Sequence, residues 1–387
     1  MINHKNSSRI ESIDLLRGII MIVMALDHVR DHFTPTGSNI LANFPEISTT
    51  LFMTRWITNF CAPVFVFLAG MGAFLSGSRG KTKAELARFL FIRGLCLIVL
   101  EFTVVHYAWY FHSYPSFDLL VIWVIGCSMI VLAGLVFLPL RAIFVFSLVM
   151  ILGHNLLDGI HAEDLGYFSW LWMILHEPGT FKIFRGITVE PFYTLIPWIG
   201  VMAAGYCTGA LMLKEERDRQ KWLIAIGAGL TVAFLIIRFI NVYGDPIPWS
   251  VQDNILYTLL SFVNCDKYPP SLLFLLMTLG PAITLLALLE KASGLLSRLV
   301  IVFGRVPLFY YIIHLYLIHA LALVTGCVQG YDIRQFLTWF GEFPETFGFS
   351  LPVVYVVWIV VILMMYPLCR WYAILKSEKR YGWLRFL

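Results

Sequence analysis

Asp27-His28-Val29-Arg30-Asp31-His32 places two carboxylates and two imidazoles within one short run. On a helix, Asp27 and Asp31 stack on one face, and so do His28 and His32. A carboxylate beside an imidazole orients the ring and raises its basicity, which suits a general base. The H-x-x-x-H spacing also allows a metal site, although no H-E-x-x-H pattern accompanies it. The remaining option is a polar helix end entering water. A second pair with the same spacing, His154 and Asp158, sits in Gly153-His154-Asn155-Leu156-Leu157-Asp158-Gly159. It either joins the first cluster or forms a polar helix terminus with a glycine stop. His314, in the run from Phe303 to His319, either carries function or makes an interhelical hydrogen bond. His319 lies about 140° further round a helix, so the two are not a pair on one face.

Several cations complete the set. Arg17 precedes His28 by about 16 Å along a straight helix. Arg305 suits a phosphate or a lipid head group. Arg93 has Glu101 two turns later, the spacing of a buried ion pair within a membrane. Arg238 suits a side chain snorkelling to the interface. Pro63, after Arg55-Trp56-Ile57-Thr58-Asn59-Phe60-Cys61-Ala62, predicts a freed carbonyl and a kink.

The elements that must hold these groups are transmembrane helices. Of 387 residues, 59% are hydrophobic and 13% charged, with a mean hydropathy of +0.79. Soluble domains carry about 25% charged residues. The fold class is therefore an all-α polytopic integral membrane protein in a single domain, 1–387. About ten spans are expected, at roughly 13–31, 52–76, 86–107, 118–137, 140–157, 191–212, 222–242, 271–290, 299–325 and 351–374. Ser8 and Glu11 have capping-box spacing and start the first helix. That helix follows a basic start, as in a signal peptide, but contains Arg17 and ends in Asp27-His28, so it is read as a mature span. Lys and Arg concentrate in Arg79–Lys83, Lys214–Lys221, Lys291, Arg298 and the tail, against Arg30, Lys182, Arg185, Lys267 and Arg334 on the other side. Both termini are then cytoplasmic. The long loops face outward, and Trp170, Trp172, Trp249 and Trp339 suit an interfacial belt. The net charge of +4 gives no reason to expect nucleic acid. No C-x-x-C signals a thiolate metal site. Cys265 and Cys327, in outer loops, either pair in an oxidising compartment or remain free thiols.

Arg9-Ile10-Glu11-Ser12-Ile13-Asp14-Leu15-Leu16-Arg17-Gly18 resembles the R-x-x-S-x-D-x-x-R-G opening of the heparan-α-glucosaminide N-acetyltransferase catalytic-domain family. Leu26 to Asp31 resembles the Leu-Asp-His-Val-Arg-Asp run of its bacterial branch. Further similarities are Arg55 to Gly70, Gly153 to Gly159, Pro197-Trp198-Ile199-Gly200, and Phe303 to His314. The resemblance implies a transmembrane acyltransferase that takes acetyl-CoA from the cytosol and delivers the acetyl group to a sugar amine across the membrane. In the animal enzyme, an Asn ends the first helix and a catalytic His follows in the next loop. Here His28 takes the Asn position, and Thr34 to Thr50 contains no histidine.

The expected function is acetyl transfer from acetyl-CoA to an amine or hydroxyl of a sugar or similar acceptor. The phosphates lie near Arg17, Arg93 or Arg305, and no metal is expected. His28, held by Asp27 or Asp31, acts as base or forms an acyl-imidazole, with His154, Asp158 and His314 as further catalytic candidates. Expected partners are acetyl-CoA, a glycan or small amine or hydroxyl acceptor, and membrane lipids; a homodimer is an open option. The expected location is a bacterial inner (plasma) membrane. Two rivals remain: a proton-coupled transporter using the Asp/His clusters as a relay, and a non-enzymatic scaffold.

Overall fold

The structure is a computed structural model that describes residues 10–35, 48–112 and 116–378. Ser8, Arg9 and the tail from Lys379 lie outside the described residues. Helix α1 (Glu11–Phe33) begins from Ile10, which gives it no side-chain cap. Helices α2 (Thr49–Thr58) and α3 (Cys61–Gly77) form one span with a break at Asn59-Phe60. Pro63 has no N–H for the Asn59 carbonyl four residues back, so the expected kink occurs there. Helix α4 (Lys83–Leu100) starts at a Thr82/Glu85 capping box. It runs through a π turn at Glu101–Val105 into α5 (His106–Tyr110).

Helices α6 (Val121–Leu135) and α7 (Leu140–Gly153) follow, the latter extended by a 3-10 turn at His154–Leu157. Helix α8 (Ser169–Leu175) interrupts the next loop before α9 (Leu195–Thr208) and α10 (Glu216–Ile240). Helix α11 (Ile255–Val263) precedes α12 (Leu272–Leu288), and α13 (Leu295–Arg305), α14 (Pro307–Val328) and α15 (Leu351–Ser377) complete the order. Among the described residues, eight helical segments are long and apolar enough to cross a membrane. The charged α1 and the short α6 complete the expected ten passes. The chain is thus an all-α polytopic membrane protein.

The outer loops hold more order than a loop reading predicts. Besides α8 and α11 they contain a small sheet, β1 (Ser116–Asp118), β2 (Phe181–Lys182) and β3 (Thr188–Glu190). Its order is β1-β3-β2, parallel between β1 and β3 and antiparallel between β2 and β3. Two other expectations need correction. The long ninth segment is two helices, because Pro307 drives Val306 out of helical geometry (φ −132°, ψ 50°). Glu101 does not pair with Arg93; two turns is about 12 Å along a helix, and Glu101 instead accepts the Trp123 N–H at 2.8 Å, at the start of α6. Of the two options left open for Cys265 and Cys327, the structure has the free thiols: all seven cysteines are free, with Cys265 buried and Cys327 exposed.

Helix α1 occupies the centre, packed by α2, α3, α12, α13, α14 and α15. Its contact with α13 is backbone on backbone. A Cβ on Gly304 would stand 1.8 Å from the Asp14 carbonyl oxygen, and one on Gly18 would stand 2.2 Å from that of Val300. Glycine at both positions lets the helices approach closely. The Arg17 guanidinium then reaches the Gly304 carbonyl at 3.0 Å and Asp14 at 3.2 Å. Gly304→Ala should push α13 from α1 and cost about 1–3 kcal/mol, as overpacking does. Thermal unfolding in detergent checks this; an unchanged melting temperature would contradict the tight contact.

Candidate functional site

Helices α1 and α14 bring His28 and His314 together. His28 Nδ1 lies 2.7 Å from His314 Nε2. The ring centroids are 4.9 Å apart with planes within 20°, as for two imidazoles sharing an in-plane proton. The network sets the tautomers. His314 Nδ1 lies 2.8 Å from the Tyr310 carbonyl, which can only accept, so this nitrogen carries a proton. In the neutral ring Nε2 is then an acceptor, and His28 Nδ1 must donate to it. The lone pair of His28 is thereby left on Nε2. The Trp109 ring packs edge-on against His28 at 5.1 Å, and Tyr311 does so at 6.3 Å.

The carboxylates serve differently from the expectation that Asp27 or Asp31 holds His28. Both bind Arg30 Nη2 at 2.7 Å, and Asp27 also accepts the Thr58 hydroxyl at 2.7 Å. The two carboxylates share one arginine within α1, and His28 is oriented by an imidazole instead. His32 does not join His28 as a ligand pair. Its Nδ1 donates to the His28 carbonyl at 2.8 Å and its ring stacks on Trp109.

A cation from a distant loop completes this end of the site. Burial pushes the Lys267 ammonium down, but the Tyr268 hydroxyl and the Asp27 carboxylate outweigh it and hold it above the usual lysine range. The loop that carries Lys267 is organised by Arg238. Far from snorkelling, this side chain is 1% exposed and donates to the carbonyls of Ile247, Ser261, Phe262 and Asn264. It also stands 3.6 Å from Asp245, which accepts from the Asp266 N–H and the Ser271 hydroxyl.

His154 and Asp158 form a separate cluster. His154 faces carbonyls with both ring nitrogens, Ile151 and Pro270, each at 2.9 Å. Asp158 pairs with His176 at 3.0 Å and accepts from Asn155 at 2.9 Å. Burial raises its carboxyl, but these hydrogen bonds outweigh burial and hold it below the usual range. Asn155 accepts the Leu272 N–H. The cluster therefore braces both sides of the Pro270 turn next to Lys267; no hydrogen bond or ring contact among the described residues joins it to His28.

At the opposite end of α1 a cavity of about 340 Å³ opens between α1, α3, α4, α6 and α14. Arg17, Arg93, Arg305 and Lys376 line it, with an apolar wall that includes Phe65, Leu90 and Met129, and Tyr311 closes it toward His28. Arg93 Nε is buried without a hydrogen-bond partner. Arg305 stands 3.9 Å from Glu11. The three arginines singled out in the sequence thus share one cavity. Sequence reading missed Trp109, Tyr311, Lys267 and His176. Only Tyr311, one turn before His314, carried a local signal.

Arg238→Met should leave Asp245 and four carbonyls without their donor. Removing one partner of a buried ion pair costs about 3–5 kcal/mol. Hydrogen exchange should accelerate across residues 243–271 while α12 stays protected. Unchanged exchange there would show that the loop does not depend on Arg238.

No curated protein matches the chain. Residues 9–238 match the family described as heparan-alpha-glucosaminide N-acetyltransferase, catalytic. This match holds α1 with Asp27 and His28, the kinked second span, and the helices that bear Arg93, Trp109 and His154. With more than half of its length matched, the chain belongs to this family of transmembrane acetyltransferases.

Proposed function

We propose that the protein transfers an acetyl group from acetyl-CoA, bound from the cytosolic side, to an amine or hydroxyl of a sugar or similar acceptor at the outer side of a bacterial inner membrane. The observation that carries this reading is the pairing of a cation-rimmed cavity with a base-ready imidazole across Tyr311. Arg17, Arg93, Arg305 and Lys376 offer charge for the CoA phosphates. The apolar wall suits the pantetheine arm, and the thioester is carried toward Tyr311.

His28 Nε2 takes the proton from the acceptor as the acceptor attacks the thioester carbonyl. His314 keeps His28 in the tautomer that can do so, and the Asp27 charge nearby favours the transient imidazolium. The proton then passes to the departing CoA thiolate. Lys267 stands at the outer end, where the acceptor enters.

His28→Ala should slow acetyl transfer by about 10²- to 10⁴-fold, the usual contribution of general acid–base catalysis. His314→Ala should cost less, since it removes the orienting partner and not the base. The assay is transfer of radiolabelled acetyl from acetyl-CoA by purified protein. A folded His28→Ala variant that transfers at the wild-type rate would overturn the assignment. Wild-type protein that binds no CoA at millimolar concentration would favour a proton-coupled transporter.

Arg93→Met should weaken CoA binding. A hydrogen bond to a charged group contributes about 1.5–3 kcal/mol, or about 10- to 150-fold in Kd. Calorimetry at two salt concentrations checks both the loss and a weaker salt dependence in the variant.

A further inference from the structure

A base and a donor cavity leave one demand of acyl transfer unmet. When the acceptor attacks, the thioester oxygen becomes an oxyanion, and in a dry site it needs hydrogen-bond donors set in advance. Arg30 is held by two carboxylates. Arg17 lies about 16 Å from His28 along α1. Two other donors border the His28 ring.

Trp109 is buried, and its indole packs edge-on against His28 at 5.1 Å. Its Nε1–H makes no hydrogen bond of acceptable geometry, although the Tyr311 hydroxyl lies beside it. A buried donor without an acceptor costs about 1–3 kcal/mol, so this indole N–H calls for a partner. Tyr311 is buried, lines the cavity that ends here, and meets both His28 and His314 with its ring, the latter at 5.8 Å. One donor therefore stands on the cavity side of the base, and the other flanks the same imidazole from α5.

We propose that Trp109 Nε1–H and Tyr311 Oη–H form the oxyanion pocket of the acyl transfer. This rests on the acyltransferase reading above. The acceptor nitrogen or oxygen bonds to the thioester carbon while its proton moves to His28 Nε2. The carbonyl π pair moves onto oxygen, between the indole N–H and the phenol O–H. The pair returns to re-form C=O, the C–S bond breaks, and the CoA thiolate takes the proton from His28. The products are the acetylated acceptor and CoA thiol, with no other reactant needed. Tyr310, one residue away, packs its ring on Phe303 and His314.

Tyr311→Phe removes a single oxygen and keeps the ring, so it tests the donor and not the packing. Acetyl transfer should fall about 10²- to 10³-fold, the effect of losing one oxyanion donor, with the KM for acetyl-CoA little changed. Trp109→Phe should act in the same direction. A second readout is the infrared carbonyl stretch of bound carbonyl-¹³C acetyl-CoA. It should shift to lower wavenumber in the wild type and return toward its solution value in Tyr311→Phe, which a purely structural role would not cause. If wild-type protein transfers acetyl while Tyr311→Phe and Trp109→Phe bind CoA and transfer at near wild-type rates, the pocket is wrong and the acyltransferase reading stands. If wild-type protein binds CoA and transfers no acetyl group to any amine or hydroxyl acceptor, that reading falls and the pocket with it.

Discussion

Helix α1 can carry so many ionisable side chains through a bilayer only because other helices enclose it. In hydrocarbon each of these groups would be costly; inside the bundle each finds a partner supplied by protein. The enclosure begins at Gly18 and Gly304, where the absence of side chains lets α13 lie against the α1 backbone. Pro307 then turns the chain, and α14 rises along α1 with His314 facing His28. The backbone contact at one end of α1 thus fixes the side-chain contact at the other.

The same axis separates two chemistries. Cations gather around a cavity at the Glu11 end, and neutral imidazoles meet at the Phe33 end. Tyr311 belongs to both, since it walls the cavity and packs on His28 and His314. In the proposed reaction a donor entering from one side and an acceptor from the other need travel only to this wall. Each substrate in that reaction stays on its own side of the membrane while only the acyl group crosses.

Much of the fold was legible because apolar runs of span length leave few alternatives in lipid, and Pro63 marked its own kink. The two-helix character of 295–328 was less legible: the apolar pattern continues across Val306-Pro307, and only local geometry breaks it. At the site, Asp27-His28 was visible because charge in an apolar helix stands out. Its partners were not, because pairing between positions 28 and 314 leaves no local trace. Arg238 shows the limit most clearly. From sequence it is a cation near a helix end, where water is the default partner. In the fold it gathers four carbonyls and Asp245, and so orders the loop that sets Lys267 beside Asp27.

That imidazole, and not carboxylate, should hold His28 follows from the cost of charge in a dry site. An Asp bonded to His28 would bring a full negative charge to the base, and the desolvation of that charge would have to be met locally. The two carboxylates are instead held by Arg30 on their own helix, which offsets one of their two charges. His314 supplies direction without charge: its Nδ1 proton is fixed by the Tyr310 carbonyl, and this forces the His28 proton onto Nδ1. In the proposed reaction the neutral His28 ring therefore presents its lone pair on Nε2. When it takes a proton, the new imidazolium lies within the field of Asp27, one residue away. A carboxylate near the ring but not bonded to it favours the charged state only once that state forms, and transition-state stabilisation of this kind raises the rate without tightening the ground state.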